Sequence, residues 1–598
     1  MKPQRIITIC CLLAMSVMAR QPNILLIQTD DLGYDDLSYH DNTCSHTPHL
    51  DKLAESSVRF SNFMVNSVCA PTRASLLTGR DFWRTGCEGL HGGKEFLHLD
   101  ERTFGNVFQD AGYATGMWGK WHNGKSDGYW AWDRGFDEAY QAKLYQYFPS
   151  AGHYNEFPKL TKHAGEWSPT VLADYTIDFI SRNQDKPFLA YLSFLTCHST
   201  WNAPEEYRAT YLKKGHSEHF STLLGMLEYM DMETGRVLKH LNDLGLAENT
   251  IVLFMSDNGP NRGGSKRHKG SDQITEEEWN LRNNHGFLGS KSYLWQNGIK
   301  SPLLVRWPGT YTPADVDRLV TITDVFPTLL DMAGLELPPD NPPLDGRSVA
   351  SYLKGDTKTL PEKSAVFANW HPRWEGDHYD PLQDKTKQLD ISKQRITIMN
   401  ERFKYIQNDY NVPGCPKSPD GMILIDLKND PLESSSVASS KPEVLSAMQK
   451  ELGEWFDDLI VAPRSFTHTV FQIGWKGKTE SEFPAFGPSK TVGTKNQSHL
   501  ISGWDTPGDY AEYRIHVHQA GTYNVSLITT GGKKTKGLAL KAECAGSTTQ
   551  APLDGSASPS LGTLDLTPGA HTLKLALTDI PMGTSPDLKI KTVKFTLL

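Results

Sequence analysis

Cysteine is scarce. Eight are present in 598 residues, and Cys10 and Cys11 fall in a leader-like N-terminus. The other six, Cys44, Cys69, Cys87, Cys197, Cys415 and Cys544, allow three disulfides in an oxidising compartment, yet over so long a chain they make no disulfide framework. A hydrophobic core must hold the fold. Positive charge is not in excess either: 61 Lys and Arg stand against 70 Asp and Glu, a net charge of −9. That balance offers no general attraction to phosphate backbones or anionic lipid, so no nucleic acid partner is expected. Long apolar runs are missing as well. Residues 6–19 are apolar but fall short of the roughly 20 residues that cross a bilayer, and no membrane span is expected. A repeat of solenoid length is also absent.

What is present reads as a large globular protein of two domains. Lys2 and Arg5, the apolar run, and the small exit residues Val17 and Ala19 form an export signal over residues 1–19, which implies a secreted or periplasmic location. From residue 20 to about 462, short apolar runs alternate with helical periodicity. Residues 23–28, 188–194, 250–255 and 303–305 read as buried strands, and residues 223–244 as a long amphipathic helix. Thr47 and Pro48 supply an N-cap and first-turn proline for a further helix. This alternation predicts an α/β fold with a mostly parallel sheet flanked by helices. Residues 263–282, rich in charge and glycine, read as a surface insertion. From about residue 463 the period shortens to two, and runs at 510–517, 521–528, 537–542 and 571–577 predict a C-terminal all-β sandwich over residues 463–598.

Asp30 and Asp31 follow one apolar strand; Asp257 and Asn258 follow another. In open α/β sheets ligands collect beyond the carboxyl ends of strands, so both pairs can face one crevice as an all-oxygen set suited to Ca²⁺ or Mg²⁺. An Asp after a strand also often only caps a helix, and either pair alone leaves both readings open. Residues 69–80 read CAPTRASLLTGR: Pro71 suits a first helical turn and Thr78-Gly79 a stop. Cys69 would then sit at a helix N-terminus, where a bare thiol has a depressed pKa. A buried structural cysteine is the alternative.

Cys69, Pro71 and Arg73 match the Cys-x-Pro-x-Arg signature, and Leu77, Thr78, Gly79 and Arg80 complete its longer form. Four further motifs follow the family's order: TPHLDKLAESSVRF at 47–60, GKWH at 119–122, SDNG at 256–259 and LDGRS at 344–348. Over residues 23–459 the chain resembles a type I, arylsulfatase-like sulfatase of the alkaline phosphatase superfamily. The resemblance implies an alkaline-phosphatase-like fold and a sulfuric ester hydrolase acting on a sulfated carbohydrate or an aryl sulfate. It implies that Cys69 is converted to formylglycine by a maturation enzyme, because a hydrate can collapse to the aldehyde and expel sulfate, as a thiol cannot. Asp30, Asp31, Asp257, Asn258 and residue 69 then resemble the ligands of one Ca²⁺. Arg73 resembles the arginine that steadies the hydrate, and Lys120 and Lys291 the pair that grips the sulfate oxygens. His122 resembles the base that takes the hydrate proton, and His198 the group that protonates the leaving alcohol. Gln296 and Asn297 stand where the family usually has Glu and Gly. Among the aromatic residues, Trp201 and the stretch 369–374 (NWHPRW), with His371 and Arg373, are substrate-side candidates through sugar stacking and charge. The C-terminal domain is expected to be a structural cap or carbohydrate-binding-like. The alternatives are a phosphomonoesterase or phosphodiesterase of the same superfamily, a non-catalytic carbohydrate-binding protein, and a metal-independent cysteine hydrolase.

Overall fold

A computed structural model describes residues 21–141, 152–157, 161–163, 166–262, 274–369, 389–409, 411–418, 421–461 and 467–598. The leader at 1–19 and the candidates His371 and Arg373 lie outside the described residues. A ten-stranded sheet organises the larger region. Its strands are β1 (Asn23–Thr29), β2 (Val58–Phe60), β3 (Ala114–Gly119), β4 (Glu138–Gln141), β5 (Gly152–Phe157), β6 (Thr161–His163), β7 (Phe188–Ser193), β8 (Thr250–Ser256), β9 (Leu303–Arg306) and β10 (Ala314–Val316). They lie in the order β10-β2-β9-β8-β1-β7-β3-β4-β5-β6. The centre is parallel: β1 pairs with β7 and β8, and β7 with β3. β9 runs antiparallel to β8 and β2, and β5 antiparallel to β4 and β6. Every residue of β1, β7 and β8 is buried, as expected of apolar runs covered on both faces.

Helices fill those two faces. One core layer combines Leu25 and Ile27 with Leu223, Leu227 and Met230; the other combines Ile24 and Leu26 with Leu76, Leu77 and Phe326. Helix α1 (Pro48–Glu55) begins at the expected proline, but Thr47 does not cap it with its side chain. The Thr47 hydroxyl is engaged with Ser38 and Asp51, and the open amides of His49 and Leu50 donate instead to Asp231, 3.0 and 2.7 Å away. Helix α2 (Cys69–Thr78) is buried throughout and stops at Gly79, φ 68°, as expected. Helix α3 (Glu218–Asp243) carries Asp231 and starts one turn before the apolar periodicity, because the Ser217 hydroxyl accepts from the Phe220 N–H. A four-stranded antiparallel sheet, with strands Ala365–Ala368, Ile396–Met399, Phe403–Gln407 and Met422–Asp426, precedes the helix Pro442–Val461. Its short segments carry no alternation long enough to be read from sequence.

From Val470 onward two six-stranded, largely antiparallel sheets enclose one apolar cluster. The strand Tyr510–Val517 alternates half-buried and buried at every residue. The cluster takes Phe471, Tyr513 and Leu573 from one sheet and Val525, Val593 and Phe595 from the other. Two residues from the larger region, Phe96 and Tyr129, complete it.

All six cysteines outside the leader are free thiols, five of them buried, so packing holds these layers. One expectation is corrected. Residues 263–273 of the stretch read as a surface insertion lie outside the described residues, and its end is a buried anchor: helix α4 (Glu276–Arg282) delivers Arg282, whose guanidinium pairs with Asp36 at 2.7 Å and donates to the Asp31 carbonyl at 3.1 Å. Burial of an arginine is stable here because both partners are buried with it.

Candidate active site

Parallel strands end on one edge, and that edge gathers the site. Asp30 and Asp31 follow β1, Lys120 follows β3, His198 lies beyond β7, and Asp257 and Asn258 follow β8. Backbone bonds fix the strand ends: the Asp257 N–H donates to the Thr29 carbonyl at 3.1 Å and the Lys120 N–H to the Ser193 carbonyl at 2.9 Å. Gly119, φ +115°, permits that approach, since a Cβ there would lie 1.8 Å from the Ser193 oxygen. Asp31 and His122 both adopt φ 60°, a conformation unusual outside glycine and one that a surrounding structure must enforce.

Cys69, at the start of α2, lies at the centre. Its Sγ is 3.3 Å from His122 Nδ1. Oxygens of Asp30 and Asp257 lie with that Sγ inside a sphere of metal-ligand size, all within 4.8 Å of one another. Asp30, Asp31 and His198 form an overlapping group of the same size. Arg73 is fully buried and binds Asp257 Oδ2 through Nε at 3.0 Å and Nη2 at 2.7 Å, while Nη1 donates to the Lys120 carbonyl at 2.8 Å and to Ser193 Oγ at 2.6 Å. Lys120 pairs with Asp30, and Lys291 with Asp31 at 2.6 Å. Asn258 Nδ2 donates to Asp31 Oδ1 and the Gly259 carbonyl, both at 2.8 Å.

Asp30 Oδ1, Asp31 Oδ2 and Asn258 Oδ1 are buried with no hydrogen-bond partner. Three orphaned oxygens from adjoining strand ends are costly without a cation and suit a hard divalent ion. The electrostatics agree. Burial first, then the Asp257 carboxylate, pushes Asp30 up to about 8. Burial would raise Asp31 too, but Lys291, His198 and Lys120 outweigh it and hold that carboxyl below the usual range. Burial lowers both His122 and His198 well below a free imidazole, with Lys120 adding to it at His122 and Lys291 at His198. At Lys120 and Lys291 burial alone would lower the pKa, but the surrounding acidic groups, led by Asp30 and Asp31 respectively, together outweigh it and keep the ammoniums charged.

The structure thus brings together Asp30, Asp31, Cys69, Arg73, Lys120, His122, His198, Asp257, Asn258 and Lys291. Two readings change. The Cys69 thiol is raised, not depressed, because burial outweighs Lys120 and Lys291. Trp201 is only 6% exposed, its indole N–H donating to the Cys197 carbonyl at 2.8 Å, so it packs beneath the His198 loop and offers no open ring for a sugar. Trp118 and Trp121 are likewise buried in the core. Gln296 and Asn297 are buried in a four-residue helix, where the Gln296 N–H donates to Glu433 at 2.7 Å. Sequence reasoning missed Ser193, which holds Arg73, Arg282, which ties the Asp31 carbonyl, and the Leu90 carbonyl, 3.1 Å from His122 Nε2. Arg282 alone had a signal, the buried Trp279 and Arg282 at i, i+3 in a charged stretch.

The sulfatase family model matches residues 22–335, and the model described as N-sulphoglucosamine sulphohydrolase, C-terminal, matches residues 283–459. Rat steryl-sulfatase is 30% identical over 430 residues, covering 56% of this chain and 70% of its own. Human arylsulfatase A is 29% identical over 483 residues, covering 72% and 87%. The crystal structure of Ps i-CgsB superposes with a TM-score of 0.61 at 23% identity, covering 75% of this chain and 94% of that one, which supports the alkaline-phosphatase-like architecture. With the signature cysteine, both lysines and the strand-end acids converging on one site, the chain belongs to the sulfatase family as a type I sulfatase, an enzyme of the sulfuric ester hydrolase class.

Proposed function

We propose that the protein hydrolyses sulfate esters of carbohydrates, with residue 69 as formylglycine and one Ca²⁺ held by Asp30, Asp31, Asp257 and Asn258. The observation that carries this reading is the set of three buried, unpartnered oxygens, Asp30 Oδ1, Asp31 Oδ2 and Asn258 Oδ1, in the pocket that holds Cys69, Lys120 and Lys291. When bound, the ion polarises a sulfate oxygen and favours ionisation of the attacking hydroxyl. Cys69 Sγ stands in for the hydrate oxygens. His122 Nδ1, neutral and 3.3 Å from that position, takes the hydroxyl proton during sulfate release. Lys120 and Lys291 hold the sulfate oxygens as charge builds on them. His198, beside Asp31, gains a proton as the anionic ester arrives and gives it to the departing alcohol. Arg73 aligns Asp257 and the Lys120 backbone.

Carbohydrate as the substrate class is supported by relatives. Human N-acetylgalactosamine-6-sulfatase is 29% identical over 407 residues, covering 59% of this chain and 73% of its own. A structural neighbour at TM-score 0.54 and 19% identity, covering 75% and 99%, was solved with its substrate D-glucosamine-2-N,6-O-disulfate. The leader at 1–19 supports export, and among the described residues no helix is long and apolar enough to cross a membrane.

The test combines sulfate release from a panel of defined sulfated saccharides with mass spectrometry of the peptide holding residue 69. Active protein is expected to carry a residue with sulfur replaced by oxygen and two hydrogens lost, to lose turnover on chelation and to regain it with calcium. Full turnover from an unmodified thiol, or in the presence of chelator, would overturn the reading.

A further inference from the structure

The loop that holds His122 is itself held by the C-terminal region. A carbonyl can only accept, so the contact between His122 Nε2 and the Leu90 oxygen at 3.1 Å puts the ring proton on Nε2 and leaves Nδ1 as the lone pair facing residue 69. Next to Leu90, the Gly92 carbonyl accepts from Asn496 Nδ2 at 2.9 Å and the Gly93 carbonyl from Thr469 Oγ1 at 3.0 Å. Both donors belong to the C-terminal region. Gly93 lies so close to Gly487 that a Cβ on it would be 2.3 Å from the Gly487 Cα. The His91 ring stands between His122, 6.2 Å away, and His499 of the sandwich, 5.2 Å away. On the other side of His122, the Tyr129 hydroxyl donates to the Val470 carbonyl at 2.9 Å, and Phe96 and Tyr129 are built into the sandwich core. The left-handed backbone of His122 thus lies between two segments pinned to the same domain.

We infer that the C-terminal sandwich is a positioning element for the reaction: through Asn496 and Thr469 it fixes the 90–93 loop, whose Leu90 carbonyl sets the orientation and tautomer of His122. The inference rests on the reading of His122 as the proton acceptor. It makes Thr469 and Asn496 positioning residues, although both lie beyond the family-model matches, which end at residue 459. Freed from its anchors, the loop can withdraw the Leu90 carbonyl, and the imidazole then turns away from residue 69 without loss of the pocket that binds sulfate.

The test uses the full-length, matured enzyme and a small aryl sulfate, which needs no extended binding surface. The double variant Thr469→Ala/Asn496→Ala is expected to lose about 10- to 100-fold in kcat, the scale of a misplaced catalytic group, with KM within about twofold of wild type. Restoring the hydroxyl in Thr469→Ser/Asn496→Ala should return part of the loss. Thr549→Ala removes a comparable hydroxyl bond inside the sandwich, to the Leu561 carbonyl at 2.6 Å, and should keep wild-type kcat. Circular dichroism confirms folding of each variant. Wild-type kcat in the double variant, alongside an inactive His122→Ala, would overturn the inference while leaving His122 in its role. Equal losses in Thr549→Ala would overturn it too, as mere destabilisation. Wild-type kcat in His122→Ala would remove the His122 reading itself and the inference with it.

Discussion

The ten-stranded sheet and the C-terminal sandwich are both built from buried strands, yet they treat charge in opposite ways. At the edge of the parallel sheet Asp30, Asp31, Arg73, Lys120 and Asp257 are all 0% exposed. In the sandwich Asp509, 8% exposed, is the one buried charged side chain among the described residues, and it lies apart from the apolar cluster between the sheets. The difference follows from connectivity. Parallel strands finish on the same edge, where their following loops converge and where strand-end residues can be buried against one another. Antiparallel strands reverse at each end and spread their turns over two edges, so their interior is filled by every second side chain alone. One region therefore stores unfavourable polar burial for use in chemistry. The other contributes mainly apolar burial, and what it adds to the site it adds by holding loops in place.

Breaking the charged edge at its centre should have the largest effect. Cys69→Ala is expected to lower turnover by on the order of 10⁴-fold or more, since the proposed nucleophile is removed. Sulfate release and thermal unfolding measured together should show activity gone and the fold retained; residual activity of a few per cent would contradict the assignment. Asp257→Ala comes next. It deletes an oxygen of the proposed calcium site and leaves Arg73 as a fully buried unpaired cation, so calcium retention should fall sharply and stability drop by about 3–5 kcal/mol. Asp257→Asn, which keeps a hydrogen-bond acceptor, should recover part of the stability and little of the calcium affinity, as read by denaturation and by metal analysis after dialysis.

Phe595→Ala probes the other side of the comparison. Phe595 is fully buried between the sandwich sheets, and its truncation should cost about 3–5 kcal/mol of that domain's stability. Well below the unfolding midpoint kcat should match wild type, because the rings packed on Phe595, those of Phe483 and Tyr523, belong to the sandwich. A large kcat loss in correctly folded protein would mean that the two regions are coupled through the whole sandwich and not through the anchors at Thr469 and Asn496.

The last expected effect is a slope. Burial pushes Asp231 up to about 7, despite its two backbone donors, against about 3.9 for an unfolded carboxyl. The folded state then keeps the proton to higher pH than the unfolded state. The stability from this group is full below about pH 4 and is lost as pH rises to about 7. Asp231→Asn should flatten that part of the stability profile in urea titrations across the window. An unchanged slope would place the titration elsewhere.

Legibility in the sequence tracked the range of the interaction responsible. Strands β1, β7 and β8 were readable because a fully buried strand needs only a continuous apolar run, and the Cys69–Thr78 helix because its start and stop are local. The sandwich strand at 510–517 was readable because alternation is a one-strand property. Thr47 shows the limit: its type and position suit a cap, but Asp231, 181 residues beyond Leu50, supplies the acceptor. Cys69 shows it again. Helix position argues for a low thiol pKa, while burial, which no local pattern reports, raises it.

By itself, then, the sequence determined the chemical inventory: one signature cysteine, strand-end acids, two lysines, two histidines and a second domain of different period. These depend on residue identity and on spacing of a few positions. Only the tertiary structure decided which of them meet, that Arg73 serves Asp257, that Arg282 closes over the Asp31 backbone, and that a carbonyl at Leu90 sets the proton on His122. Those contacts join residues far apart in the chain, and several run through backbone atoms that every residue shares. No residue type can announce them.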